Sequence, residues 1–428
     1  MKRFISTILA FLMLFSVLAC TTAYADDGSS QDGVVDNRKK KSTSATDNTS
    51  AAAEFSEEDF EVNVHFYQPE YSSPRYYITV TNNSQATVQV KGELTAKDKY
   101  GNPLDMESLR IRALGPGETQ ISYCSFYGTS DIQDVDISLT YQMEDYYYPV
   151  VGDFEVSKVL NNNNVTIVVT NNGALNAQYV EAYALFFDES GNVIDVASEY
   201  VCDNHSVLKP GKTLAAQLNT EFDTYDHAEV YFSGKSDGSD SSGISELLMS
   251  NFSVVEYPFV SGDTTYWCMA IKNKTDKDAG VFLNAIAYDK DGYIVGADST
   301  YIDVIGAFQT SICHFTFNYV DDIDRIEYMI SADTDIRYKD ILHSLSYKKT
   351  VNNKNVILTI TNTGSKDAEF TKAYVLFFDE DGDLVECTNT YFGDENSKIK
   401  SGASITKEIS SYKEFETVEI YLVAQAAD

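Results

Sequence analysis

The sequence predicts an all-β protein built from four tandem β-sandwich modules, arranged as a duplicated two-module unit. Three observations carry this expectation. Short runs rich in Val, Ile, Thr, Tyr and Phe alternate apolar with polar residues between Asn/Gly/Asp clusters, the period-2 pattern of strands. No long stretch shows a helical period. The chain also repeats itself. VTIVVTNNGALNAQYVEAYALFFDESGNVID from Val165 aligns without a gap on VILTITNTGSKDAEFTKAYVLFFDEDGDLVE from Val356, 191 residues later.

The same offset relates Gly101 to Gly292 and Asp131-Ile132 to Asp322-Ile323. A weaker repeat divides each half. Strand-ending asparagines recur at Asn82, Asn171, Asn273 and Asn362, and turn glycines at Gly101, Gly191, Gly292 and Gly382. Each module then has roughly 90 residues, a size at which seven or so short strands form one sandwich with its own core. Tight turns follow at Leu114-Gly115-Pro116-Gly117, Leu208-Lys209-Pro210-Gly211 and Ile399-Lys400-Ser401-Gly402. The third module has Ile305-Gly306-Ala307-Phe308 there and lacks the Pro-Gly pair.

Ahead of the modules, Lys2 and Arg3 followed by the apolar run Phe4 to Ala19 read as a signal peptide, too short to span a bilayer. Ala23-Tyr24-Ala25 supplies small residues for cleavage, giving a signal peptide at 1–25. Val17-Leu18-Ala19-Cys20 is a rival lipobox in which Cys20 would be lipidated; soluble export is the favoured reading. Residues 26–58 have almost no large apolar side chains before Phe55 and read as a disordered tether. The modules are expected at 59–145, 146–235, 248–335 and 336–428. The Ser/Gly/Asp-rich stretch 236–247 reads as a flexible linker, so two stiff pairs joined by a soft hinge are expected.

The grammar of a valine-rich strand, an Asn-Gly turn, Phe-Phe-Asp before a Gly turn and then a Pro-Gly turn resembles FxLYD-type modules of bacterial exported proteins. Phe186-Phe187-Asp188 and Phe377-Phe378-Asp379 carry the resemblance; modules 1 and 3 keep mainly the Asp and the Gly. The resemblance implies an immunoglobulin-like sandwich and an extracellular appendage, and it bears on fold more than on function.

The net charge of −33 excludes nucleic acid as a partner. Five cysteines follow Cys20 without a C-x-x-C, so neither a zinc site nor a disulfide framework is expected. Cys268 alternates away from Trp267, Met269 and Ile271, whereas Cys313 shares a face with Phe315 and Phe317, which argues against a bond between these two. The five histidines are scattered, and no nucleophile, phosphate-loop or metalloprotease motif is present, so no enzyme, catalytic residue or cofactor is expected. In FFDEDGDLVE (Phe377 to Glu386), Asp379, Asp381 and Asp383 are the only metal candidates, and weak ones. Gly382 falls at position four instead of six, and no acidic residue follows at twelve, so the stretch reads as a hairpin turn. The expected function is that of an exported, non-catalytic spacer or protein-interaction module in the cell envelope or outside the cell, with no membrane span in the mature chain. The alternative is glycan binding through tyrosine-rich sheet faces, with Tyr146, Tyr147 and Tyr148 as candidates.

Overall fold

The computed structural model describes residues 55–427 except 71, 130, 204–205, 223, 239–246, 248, 321, 335 and 394–396. The signal peptide, Cys20, most of the tether and most of the 236–247 linker lie outside the described residues. Phe55 already belongs to the fold, packing edge-on to Phe60 at 5.9 Å.

Each module is a sandwich of two antiparallel sheets. Module 1 pairs β1 (Phe60–Tyr67), β2 (Arg75–Asn82) and β5 (Thr119–Ser125) in the order 1-2-5, against β4 (Pro103–Leu114), β3 (Val88–Lys97) and β6 (Asp134–Met143) in the order 4-3-6. Module 2 repeats this with β7 (Phe154–Leu160), β8 (Asn164–Asn171) and β11 (Thr213–Asn219) against β10 (Val193–Cys202), β9 (Gln178–Phe187) and β12 (His227–Lys235). In module 3, β13 (Phe252–Ser261), β14 (Thr264–Asn273) and β17 (Thr310–Asn318) face β16 (Ile294–Ile305), β15 (Ala279–Tyr288) and β18 (Arg325–Asp333). Module 4 opens with the short β19 (Tyr338–Asp340). Its sheets are β20 (Leu345–Val351), β21 (Asn355–Asn362) and β24 (Ser404–Ser410), and β23 (Leu384–Tyr391), β22 (Glu369–Phe378) and β25 (Thr417–Ala427).

Six main strands per module replace the expected seven or so. The outer edge of the last strand is met by the segment leading into the same module. Tyr148 bridges Ser236, Leu247 bridges Ala332, and β19 pairs with β25. This covers part of an edge that would otherwise offer unpaired backbone.

Three connections per module cross between the sheets, and one side chain ties two of them together. Asn82, Asn171, Asn273 and Asn362 are each 0–1% exposed. The Asn362 carboxamide donates to the carbonyls of Lys366 and Ile399, both at 2.8 Å, and its Oδ1 accepts the Gly364 N–H at 2.9 Å. Asn171 does the same with Leu175, Leu208 and Gly173. Asn82 and Asn273 repeat the pattern with their own neighbours. The third module meets the missing Pro-Gly differently. Phe308 takes the left-handed conformation, φ 61°, that Gly117, Gly211 and Gly402 take elsewhere. Its ring is exposed, so nothing in packing offsets that backbone cost.

The modules are not beads on a string. The outer face of β1-β2-β5 packs on the outer face of β10-β9-β12 through Tyr77, Ile121, Tyr183, Leu185 and Phe187. Module 3 meets module 4 through Ile312, Leu376 and Phe378, which lie 191 residues beyond Ile121, Leu185 and Phe187, together with Cys268 and Leu384. The soft hinge expected between modules 2 and 3 is replaced by a packed junction. The Asn284 side chain donates to the Ala215 carbonyl (2.7 Å) and accepts its N–H (3.0 Å), as a paired strand would.

Replacing Asn362 by Ala strands the buried Ile399 carbonyl and the partly buried Lys366 carbonyl and Gly364 N–H, so destabilisation of roughly 2 kcal/mol is expected in urea unfolding. Replacing Phe308 by Gly removes left-handed strain and should stabilise by about 1 kcal/mol in the same assay. A null effect of the first, or a loss with the second, contradicts this account.

Candidate functional site

The Asp-x-x-Gly turns are built alike. Asp379 Oδ1 accepts the N–H of Asp381 (3.0 Å) and of Asp383 (2.9 Å), and Gly382 sits at φ 85°. Asp98, Asp188 and Asp289 accept the equivalent pairs of N–H groups. At Asp98 and Asp188 the hydrogen bonds from Asn102 and Asn192 hold the carboxyl below its usual range. The first Asp therefore spends one oxygen on the turn, and the exposed Asp381 and Asp383 stand on the same tip. Among the described residues no group of three His, Cys, Asp or Glu is arranged to hold a metal ion.

The tyrosine candidates are distributed otherwise than a sugar platform requires. Tyr77 and Tyr183 are buried in the seam between modules 1 and 2, with ring centroids 6.3 Å apart. Tyr147 lies under the Lys235 ammonium at 4.0 Å. Tyr148 exchanges backbone hydrogen bonds with Ser236 at 2.8 and 2.9 Å, which leaves Tyr146 the most exposed of the three. Trp267 is core, with its Nε1–H on Glu256 at 2.9 Å.

What sequence reasoning missed is a cleft of about 210 Å³ where modules 2 and 3 meet. Its walls come from β10, β11, β16 and β17, and they bring together Glu199, Tyr200, Gln217, Asn219, Asp298 and Thr316. Gln217 spans the junction. Its Nε2 donates to Asn219 Oδ1 (2.6 Å) and to the Asn318 carbonyl (3.2 Å), and its Oε1 accepts the Ala297 N–H (3.2 Å). Gly296 makes room for it, since a Cβ there would lie 2.7 Å from Gln217 Oε1.

Asp298 carries the electrostatics. It accepts the Thr316 N–H at 2.6 Å and the Ser299 N–H at 2.7 Å. Burial nonetheless pushes its carboxyl up to about 7, and nearby Glu199 adds to the rise. Glu199 is itself raised, by burial first and then by Glu181 and Asp203. No cationic side chain lines the cleft. The site thus offers two carboxyl groups with weakened acidity, amide and hydroxyl groups and one half-exposed tyrosine. Such a lining suits hydrogen bonding to a small hydroxyl-rich ligand. The signal that could have found it is a departure within the repeat, because Asn284 stands where modules 2 and 4 carry Tyr183 and Tyr374.

The sign of the pH effect follows from the direction of the shift. Asp298 binds its proton more tightly folded than unfolded, so its stabilising share is complete below about pH 4 and is lost as pH rises through 7. The loss is on the order of 4 kcal/mol. Asp298→Asn should flatten the fall in urea midpoint between pH 4.5 and 8, and an unchanged slope would refute that titration.

No family model matches the chain, and no curated protein matches it. Among solved structures, a transglutaminase of red sea bream aligns over 82% of this chain and 92% of its own, at 7% identity and a TM-score of 0.16. Dimeric latent PorU of Porphyromonas gingivalis aligns over 86% of this chain and 33% of its own, at 10% identity and a TM-score of 0.14. At these scores neither likeness carries an argument about fold or activity.

Proposed function

We propose that the chain is an exported, non-catalytic interaction scaffold whose immunoglobulin-like modules form one continuous stack of sheets. The observation that carries this reading is the contrast between inner and outer faces. Where module 2 presents Tyr183, Leu185 and Phe187 to its neighbour, module 1 presents Glu93, Thr95 and Lys97 on its uncovered face. Where module 1 presents Tyr77 and Ile121, module 4 presents Thr359, Thr361 and the exposed Thr406, with Ile357 as an apolar side chain among them. Repeat arrays need such polar end faces to stay soluble, and an array with sealed inner faces acts through its shape and its flanks. Among the described residues no helix is long and apolar enough to cross a membrane.

A second reading is that the cleft between modules 2 and 3 takes a glycan unit, with Tyr200 stacking on the ring and Glu199 and Asp298 accepting its hydroxyls. It rests on the polar lining and replaces the tyrosine-rich sheet faces as the place of contact.

The two readings separate in one set of measurements. The scaffold reading expects no turnover of peptide, ester or glycoside substrates by the purified chain. It also expects in-cell cross-linking to give a partner whose purified form binds the purified chain directly. Turnover of any of those substrates would overturn it. The glycan reading expects calorimetric binding of a mono- or disaccharide that weakens at least tenfold in Tyr200→Ala. Silence across a glycan array removes that reading.

A further inference from the structure

Cys268 and Cys387 come from different modules and meet in one place. Cys268 lies on β14, the central strand of its sheet, on the face turned away from Trp267 and toward module 4. Cys387 lies on β23 and packs into the same apolar cluster, beside Ala270, Ile312, Leu376 and Phe378. The Cys268 side chain is fully buried, and Cys387, packed in the same cluster, is partly accessible. Cys313 is on the opposite face of the module 3 sheet, in its core with Phe315 and Phe317. The equivalent seam between modules 1 and 2 has Tyr77 and Val196 at the two positions. Thiols therefore occur as a facing pair in one copy of the seam, and both members of the pair differ from the other copy.

We infer that Cys268 and Cys387 are a disulfide-forming pair that staples module 3 to module 4 when the chain meets a disulfide oxidant, either a low-molecular-weight disulfide or that of an oxidoreductase. The Cys387 thiol loses its proton, and the thiolate attacks one sulfur of the oxidant. The oxidant S–S bond breaks, its other sulfur leaves and takes up a proton, and a mixed disulfide remains on Cys387. Cys268, deprotonated in turn, attacks Cys387 Sγ and releases the second oxidant thiol. Two cysteine thiols are oxidised by two electrons in total, and one disulfide is reduced to two thiols. The neighbouring Cys387 thiol, and then burial, push the Cys268 thiol far up, so closure is the slow step and quickens with pH. The linked pair would close a long chain loop across the seam between modules 3 and 4, which restricts the unfolded chain most.

The test uses the full chain treated with oxidised glutathione at alkaline pH, then unfolded, alkylated and mapped by mass spectrometry without reduction. The expected result is a cross-linked peptide pair carrying Cys268 and Cys387, two fewer alkylatable thiols, and a higher thermal midpoint that falls back on reduction. Cys313→Ser should keep the link and Cys387→Ser should lose it. The wild-type map decides the matter even if a variant fails to fold. Full alkylation of both cysteines, a Cys268–Cys313 link, or a glutathione adduct on Cys387 that never closes would each overturn the inference.

Discussion

A sandwich is held along its strands by ladder hydrogen bonds, but nothing in the ladders joins one sheet to the other. Here that task falls to packing, to one buried carboxamide per module and to a few further side-chain bonds such as that of Asp298 with the Thr316 N–H. Asn82, Asn171, Asn273 and Asn362 end the second strand of their sheets and reach two crossing connections at once. The geometry needs two donors and one acceptor on a single short side chain. Aspartate lacks the donors and leucine lacks all three, so the amide is the side chain that leaves no buried carbonyl unpaired. The glycine turn before the fifth strand is docked by the same residue, since the Asn362 carbonyl accepts the Gly402 N–H at 2.8 Å and the Asn171 carbonyl accepts that of Gly211 at 2.7 Å.

With the sheets fixed in this way, each module presents two outer faces, and stacking is what those faces are used for. Leu185 and Phe187 alternate with Ala184 and Phe186, so one set fills the module's own core while the other fills the seam. His65 shows the cost of a seam that is not fully matched. Its Nε2 is buried without a hydrogen-bond partner, and burial lowers its basicity against the modest opposing pull of Glu229. The module 3–4 joint places a carboxyl in a comparable position. Asp340, whose Cγ would lie 2.5 Å from a Cβ at Gly306, is pushed up to about 6 by burial beside Asp278.

The repeat made much of this legible. Strand periods, the asparagines, the Gly turns and the duplication were all readable because each recurs with a local cause. Period-2 alternation also placed Cys268 off the core face and Trp267 on it, as the structure has them. It could not say what covers the second face, because alternation is silent on whether a polar-looking face meets water or another sheet. The tyrosine-rich faces therefore left glycan contact open as the alternative reading, whereas Tyr77, Tyr183 and Tyr231 pack in the seam between modules 1 and 2. The cleft was illegible for a related reason. Its residues run from Glu199 to Asn318 across two modules and share no motif.

The junction that contains the cleft is explained by the duplication itself. When a two-module unit is doubled, the outer faces at its two ends must meet in the middle. Asn284 occupies the position of Glu93, and Ala215 and Gln217 occupy those of Thr406 and Glu408, each pair 191 residues apart. The positions that stay solvated at the uncovered faces carry two carboxylates and a hydroxyl, and the same positions at the junction carry amides and a methyl group. An amide can give up water by bonding backbone across the joint, as Asn284 does to Ala215, whereas a buried carboxylate without a cation cannot be satisfied so cheaply. What distinguishes this junction from the other two is thus not looseness but polarity. Polarity is also why it retains a hydrogen-bonding cleft, and why Asp298, left beside it with Glu199, holds its proton toward neutral pH.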